Sequence, residues 1–83
     1  MRDLDGRTYA AVTVDLPSLQ VSAVGVAVSM AVASGAKGAE AVVVLTDGDL
    51  AAADLDIVRE FAGSGVTVHR GSLTGDVQDT QQT

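Results

Sequence analysis

The sequence predicts a small α/β domain with a three-stranded, mostly parallel sheet in the order β-α-β-α-β, with helices packed on it. Three observations support this fold class. Residues 41–46 are a continuous apolar run rich in β-branched side chains, which is typical of a strand buried on both faces. Residues 50–62 follow with apolar side chains at helical spacing, and residues 66–70 then alternate as a strand does. This succession has the length of one β-α-β unit, about 30 residues.

The first element in chain order is a strand predicted at residues 9–16, where apolar and polar side chains alternate. The charged residues before it contain Asp5-Gly6, a favourable turn pair. Pro17 is expected to end the strand and to begin a helix. Proline cannot donate to a strand ladder, and its fixed φ suits the first helical turn.

Residues 18–36 fit two secondary structures. A helix would gather their apolar side chains into two neighbouring stripes, whereas a strand would alternate valines with small residues. We favour the helix because Pro17 precedes the segment and because Gly35 and Gly38 mark a stop. The parallel strand that follows also needs a crossover of about a dozen residues or more.

The predicted domain organisation is simple. Residues 1–73 form a single small α/β domain, and the stop of its second helix is marked by Gly63 and Gly65. Residues 74–83 lose the hydrophobic pattern and are expected to be a polar, disordered tail.

The composition is acidic and poor in lysine. The net charge is −6, Asp outnumbers Glu by nine to two, and Lys37 is the only lysine. Such a surface repels phosphate, so nucleic-acid binding is not expected. It also resembles the halophilic composition of proteins from a high-salt cytoplasm, and a cytoplasmic location is expected. The chain has no cysteine, which excludes disulfides and cysteine-ligated zinc.

The apolar residues are numerous but small. The chain is 47% hydrophobic, with Tyr9 and Phe61 as the only aromatic residues. A core of alanine and valine buries little area per residue, so an isolated monomer would be marginally stable. We therefore predict a homo-oligomer or a protein partner. The apolar run at residues 21–33 is too short to span a membrane, and no membrane association is expected.

The densest acidic cluster follows the middle strand and consists of Asp47, Asp49, Asp54 and Asp56. Asp47 and Asp49 stand at the carboxyl end of that strand and are candidate ligands of a divalent metal; no other cofactor is predicted. The alternative is a loop in which these carboxylates cap the next helix and complement its dipole.

His69 is the only histidine and lies near the end of a predicted strand. Catalytic groups of α/β folds do occur at such positions. No cysteine and no serine nucleophile motif accompanies it, so we interpret it as a structural or solvated residue.

A family resemblance follows from the order of the elements. A turn at Asp5-Gly6 leads into a strand, and residues 38–46, 50–61 and 65–73 supply a strand, a helix and a strand. This order resembles Mrr-type restriction-endonuclease-like domains over about residues 5–73. The resemblance implies a nuclease-like fold.

The same resemblance implies a catalytic strand with a Q-x-K motif. Thr13 and Asp15 stand at the matching positions, so a carboxylate replaces the metal-activating lysine. The upstream catalytic aspartate of that family is not placed in this chain. Metal-assisted phosphodiester cleavage needs such groups, and the resemblance therefore implies a truncated, catalytically silent relative.

Two further resemblances are weaker. Residues 42–48 look like the strand and loop of von Willebrand A domains, whose D-x-S-x-S motif is absent here. The β-α-β rhythm is similar to that of the DsrE-like sulfur-relay proteins, whose working cysteine is also absent.

The function predicted from the sequence is a non-catalytic interaction or oligomerisation module on a degenerate nuclease-like fold. One alternative is a metal-dependent DNA endonuclease domain or its DNA-binding remnant. Another is a small-ligand or divalent-metal-binding module that uses Asp47 and Asp49. The missing lysine at position 15 and the unplaced aspartate argue against an enzyme.

Overall fold

The computed structural model describes residues 1–46 and 49–83. Within these residues the chain has an α/β fold, which confirms the predicted fold class. In chain order the elements are β1 (Arg2–Asp3), β2 (Val14–Leu16), β3 (Leu19–Val21), α1 (Ala23–Ala33), β4 (Ala39–Leu45), α2 (Ala52–Ala62), β5 (Thr67–Gly71) and β6 (Val77–Gln82).

The main sheet is mixed. Its strand order is β1-β4-β5-β6, with β4 and β5 parallel and the two outer strands antiparallel to their neighbours. The predicted β-α-β unit is confirmed as β4-α2-β5. The prediction of a three-stranded, mostly parallel sheet is wrong, because the described sheet has four strands and a single parallel pair.

The polar residues near the carboxyl end form β6, where the sequence suggested a disordered tail. A turn at Gly75, with φ +96°, brings β6 back along β5, so that Thr80 pairs with His69 and Asp79 with Arg70. Thr83 continues the contact: its amide donates to Val66 O at 3.0 Å. An antiparallel edge strand with one solvated face needs ladder hydrogen bonds more than apolar side chains, which explains its hydrophilic sequence.

The segment around Pro17 departs from the prediction. Pro17 and Ser18 form the turn of a hairpin in which Leu16 pairs with Leu19, and this β2-β3 hairpin is separate from the main sheet. Only residues 14–16 of the predicted first strand are extended in a ladder. Proline fits a tight turn as well as a helix start, and here the turn is the outcome.

Helix α1 occupies the middle of the ambiguous segment, after the short strand β3. Ser22 caps its first turn, and Gly35, at φ +82°, ends it. The amide of Ala36 reaches back to Ala31 O at 2.9 Å, a Schellman-type closure. Helix α2 has the same length of 11 residues and ends at Gly63, as predicted. Across residues 1–46 and 49–83, no helix is long and apolar enough to cross a bilayer.

The core lies between the helices and one face of the sheet. It consists of small apolar side chains from both helices, β4, β5 and the residue before β5: Val24, Val28, Ala39, Val42, Val58, Val66 and Val68. Val42 and Val68 are register partners, so they mark the covered face. On the opposite face Val43 and Leu45 remain 56% and 55% exposed. The helices therefore cover one face of the sheet more than the other.

Candidate functional site

Two adjoining cavities lie where β4 ends and both helices begin. The larger has a volume of about 520 Å³ and the smaller about 260 Å³. Both are lined by Thr13, Ala23, Val24, Val44 and Leu45, so they form one continuous depression, which we call the helix-start cleft. The carboxyl ends of parallel strands are the usual place for ligands in α/β folds.

The two helix N-termini meet at the smaller cavity. Its lining includes Ser22, the N-cap of α1, together with Ala51 and Asp54 from the start of α2. Ser22 Oγ accepts a hydrogen bond from the Gly25 amide at 3.0 Å. The same hydroxyl donates to Asp54 Oδ1 at 2.7 Å, although the two residues are 32 positions apart. Ala51 provides no side-chain cap to α2.

A second polar cluster surrounds Asp3, whose side chain is fully buried. Its carboxylate accepts hydrogen bonds from the amides of Asp5 and Arg7, from Arg7 Nε and from the Tyr9 hydroxyl, at 2.8–3.0 Å. Burial by itself would raise the pKa of Asp3, but these hydrogen bonds and the Arg7 charge outweigh it and hold that pKa below its usual value. Donation to Asp3 is the main cause that raises the pKa of Tyr9. The cluster fixes the loop that leads to the cleft.

Of the two predicted metal ligands, the structure describes Asp49. Asp47 lies outside the described residues. Asp49 is exposed and lines the smaller cavity. In the part of the chain that the structure describes, no group of three or more His, Asp or Glu side chains could hold a metal ion. A metal site at Asp47 and Asp49 stays a prediction.

The other residues singled out in the sequence lie apart from one another. Thr13 lines both cavities, whereas Asp15 is exposed in the β2-β3 hairpin and pairs with Gln20 in register. His69 lies in β5, where its Nδ1 is 3.0 Å from Thr80 Oγ1. This contact across two strands supports the interpretation of His69 as a structural residue.

The fold and the cleft define a class of protein: a mixed α/β sheet with two helices whose N-termini converge on one site. A family model described as "CDL: Cytidine deaminase-like" matches residues 1–75. The chain therefore belongs to the cytidine deaminase-like family. No curated protein matches the chain significantly.

This membership overturns the family resemblances drawn from the sequence. The chain is not an Mrr-type restriction-endonuclease-like, von Willebrand A or DsrE-like domain. The interpretation as an interaction or oligomerisation module on a nuclease-like fold is wrong, and so is its endonuclease alternative. The error came from the strand-helix-strand order, which unrelated α/β folds share. The comparison of Thr13 and Asp15 with the Q-x-K motif of restriction endonucleases therefore no longer applies.

The family implies a zinc ion, so the residues at the cleft must be compared with that chemistry. Zinc deaminases hold the ion with one His or Cys and the two cysteines of a P-C-x-x-C segment. A glutamate two positions after the first ligand serves as general acid and base. On the two helix starts, these spacings fall on Ser22-Ala23-Val24 and on residues 50–54, with Ala51 and Asp54 at the cysteine positions.

These residues do not fit zinc. Ser22 offers a hydroxyl and Ala51 offers no ligand atom, so Asp54 alone carries a group of the kind that holds zinc in proteins. Val24, at the glutamate position, is 4% exposed and packs in the core. The chain has no cysteine, and its only histidine lies in β5. At the three ligand positions and the glutamate position, the described side chains supply a single carboxylate, that of Asp54, and so match neither a three-ligand zinc centre nor the proton-transferring glutamate.

Sequence patterns did not single out Ser22 and Asp54 as a pair. The predicted helix began at residue 18, which hid Ser22 as a cap, and Asp54 was one of several acidic residues near α2. Ser22 followed by an uninterrupted apolar helix is a recognisable N-cap signal. The contact between the two residues depends on tertiary structure, so no local pattern could have indicated it.

Proposed function

We propose that this chain is a degenerate deaminase-type domain that binds a pyrimidine nucleoside in the helix-start cleft and lacks zinc-dependent deamination. The observation that carries the proposal is the cleft itself. It stands where the two helix N-termini meet, in a chain of the cytidine deaminase-like family, while the ligand and glutamate positions hold Ser22, Ala51, Asp54 and Val24.

The size and the lining of the cleft support binding of a small polar ring compound. The larger cavity, about 520 Å³, lies within the range of ligand pockets, about 300–1,000 Å³. Its walls are mainly apolar, with Ala27 and Val42 beside the residues shared with the smaller cavity. The smaller cavity adds polar side chains, among them Thr46 and Asp49. An apolar slot with a few polar groups at one end suits a base and its attached sugar.

The chemistry available at the cleft supports binding rather than turnover. Hydrolytic deamination needs a metal-activated water and a carboxylate that moves protons. Val24 cannot move a proton, and Ser22 and Ala51 replace two of the three zinc ligands. The cysteine-free, acidic composition also supports a cytoplasmic site of action as part of this proposal.

Calorimetric titration with cytidine, uridine and adenosine tests the proposal. Ala51→Phe places a bulky ring at the smaller cavity, whereas Ala53→Phe places the same ring on an exposed position of α2 that does not line it. We expect saturable pyrimidine nucleoside binding by the native chain, binding by Ala53→Phe, and none by Ala51→Phe. Absence of saturable binding by the native chain, or equal binding by both variants, would contradict the proposal.

A further inference from the structure

We infer that the Ser22–Asp54 hydrogen bond takes the place of a metal ion as the link between the N-termini of α1 and α2. This inference concerns the stability of the fold and stands independently of nucleoside binding. Ser22 Oγ and Asp54 Oδ1 lie 2.7 Å apart, at the positions where the family spacing puts two of the three zinc ligands. In a zinc deaminase the ion would tie these two helix starts together.

The geometry at Ser22 allows one hydroxyl to serve both helices. A serine hydroxyl has one donor and two acceptor sites. Ser22 uses an acceptor site for the Gly25 amide, which caps α1, and its proton for Asp54 in the first turn of α2. The distance of 2.7 Å lies at the upper end of the range for hydroxyl bonds to carboxylates, about 2.5–2.7 Å.

The surroundings of the bond favour its strength. Val24 follows Ser22 in α1 and Val58 follows Asp54 in α2, and both valines are buried in the core. The bond is partly buried, and a hydrogen bond that is shielded from water is stronger than an exposed one. The Asp54 carboxylate also complements the positive end of the α2 dipole, where Ala51 supplies no cap. The Ser22 hydroxyl therefore caps α1 through one hydrogen bond and holds Asp54, in the first turn of α2, through another.

A double-mutant cycle measured by thermal unfolding tests the link. Ser22→Ala and Asp54→Ala should each lower Tm by about 4–8 °C, the scale expected for a lost cap in a domain of this size. Because each variant breaks the same bond, the double variant should lose much less than the sum of the two single losses. If an alanine variant does not fold, Ser22→Gly and Asp54→Leu, neither of which can form the bond, complete the cycle.

Matched controls separate the link from generic effects of the substitutions. Ser29 donates to Gly25 O within α1, and Asp56 pairs with Arg59 within α2, so neither joins the two helices. Ser29→Ala and Asp56→Ala should therefore be additive with each other. Addition of Zn²⁺ or of a chelator should leave the Tm of the native chain unchanged. Additive losses in the Ser22–Asp54 cycle, or a rise of the native Tm with Zn²⁺, would overturn the inference.

Discussion

At Asp3, four hydrogen bonds converge on one carboxylate that solvent does not reach. The folded-state pKa lies below the unfolded value, so the charged form stabilises the fold. This contribution is present above the unfolded pKa, about 3.9, and is lost as the pH falls through the lower folded pKa.

Asp3→Asn should therefore reduce the acid sensitivity of the fold. The native chain should lose this stability as the pH falls below about 5 and through the folded pKa of Asp3, and the variant should lose less, because it has no carboxylate to protonate at this site. Urea unfolding at a series of pH values measures the difference. Equal pH dependence of the two proteins would contradict the role assigned to the Asp3 cluster.

Val24→Glu tests whether a glutamate at position 24 is by itself enough to restore deamination. The side chain would enter the core at a site that is 4% exposed, and an unpaired buried carboxylate is costly. We expect a large fall in Tm and no cytidine deamination with added Zn²⁺. Val24→Ile, which keeps an apolar side chain, is the control for the change in volume. Deamination by Val24→Glu would show that the remaining residues suffice for catalysis.

The candidate site was hard to predict at the level of single residues. The clustering of carboxylates in the sequence indicated Asp47 and Asp49 as candidate site residues. The contact that joins the helices instead uses Ser22 and Asp54. Zinc deaminases are recognised in sequence by cysteines and a glutamate at fixed spacings. Since this chain carries none of them at the helix starts, the catalytic motif by which the family is usually recognised is missing from its sequence.

The secondary-structure elements show where sequence patterns are informative. The apolar run of β4, the amphipathic α2 and the glycine at its end were predicted because hydrophobic periodicity and a positive-φ stop are local signals. The hairpin at Pro17 and the strand β6 were missed. Proline suits both turns and helix starts, and β6 is held by pairing with β5 rather than by its own composition.

Removal of β6 tests its structural importance. Deletion of residues 76–83 would leave the β5 edge unpaired and would remove Thr83, whose hydroxyl donates to Gly63 O at 2.9 Å. We expect a large loss of Tm or aggregation. The control, Gln78→Ala, alters one exposed side chain of β6 and should change Tm little. A deletion variant as stable as the intact chain would mean that β6 adds nothing to the fold.

Across the whole molecule, the acidic charge opposes self-association, whereas the exposed apolar surface favours it. The net charge is −6, while Val43 and Leu45 leave apolar surface on the uncovered sheet face. Self-association stays a prediction, and we expect salt to strengthen it by screening the acidic repulsion. Sedimentation at low and high KCl measures this. Val43→Lys should weaken association, whereas Gln78→Lys, on exposed polar surface, should not. A protein that stays monomeric under all conditions would contradict the prediction of self-association.

The proposed function of the helix-start cleft is to bind a pyrimidine nucleoside without zinc chemistry. An NMR titration of isotope-labelled protein with cytidine observes the protein and the nucleoside together. We expect saturable shifts of the Thr13, Ser22 and Ala51 amides, and cytidine that stays intact with or without Zn²⁺. Unchanged cleft amides, or conversion of cytidine to uridine, would show that the proposed function is wrong.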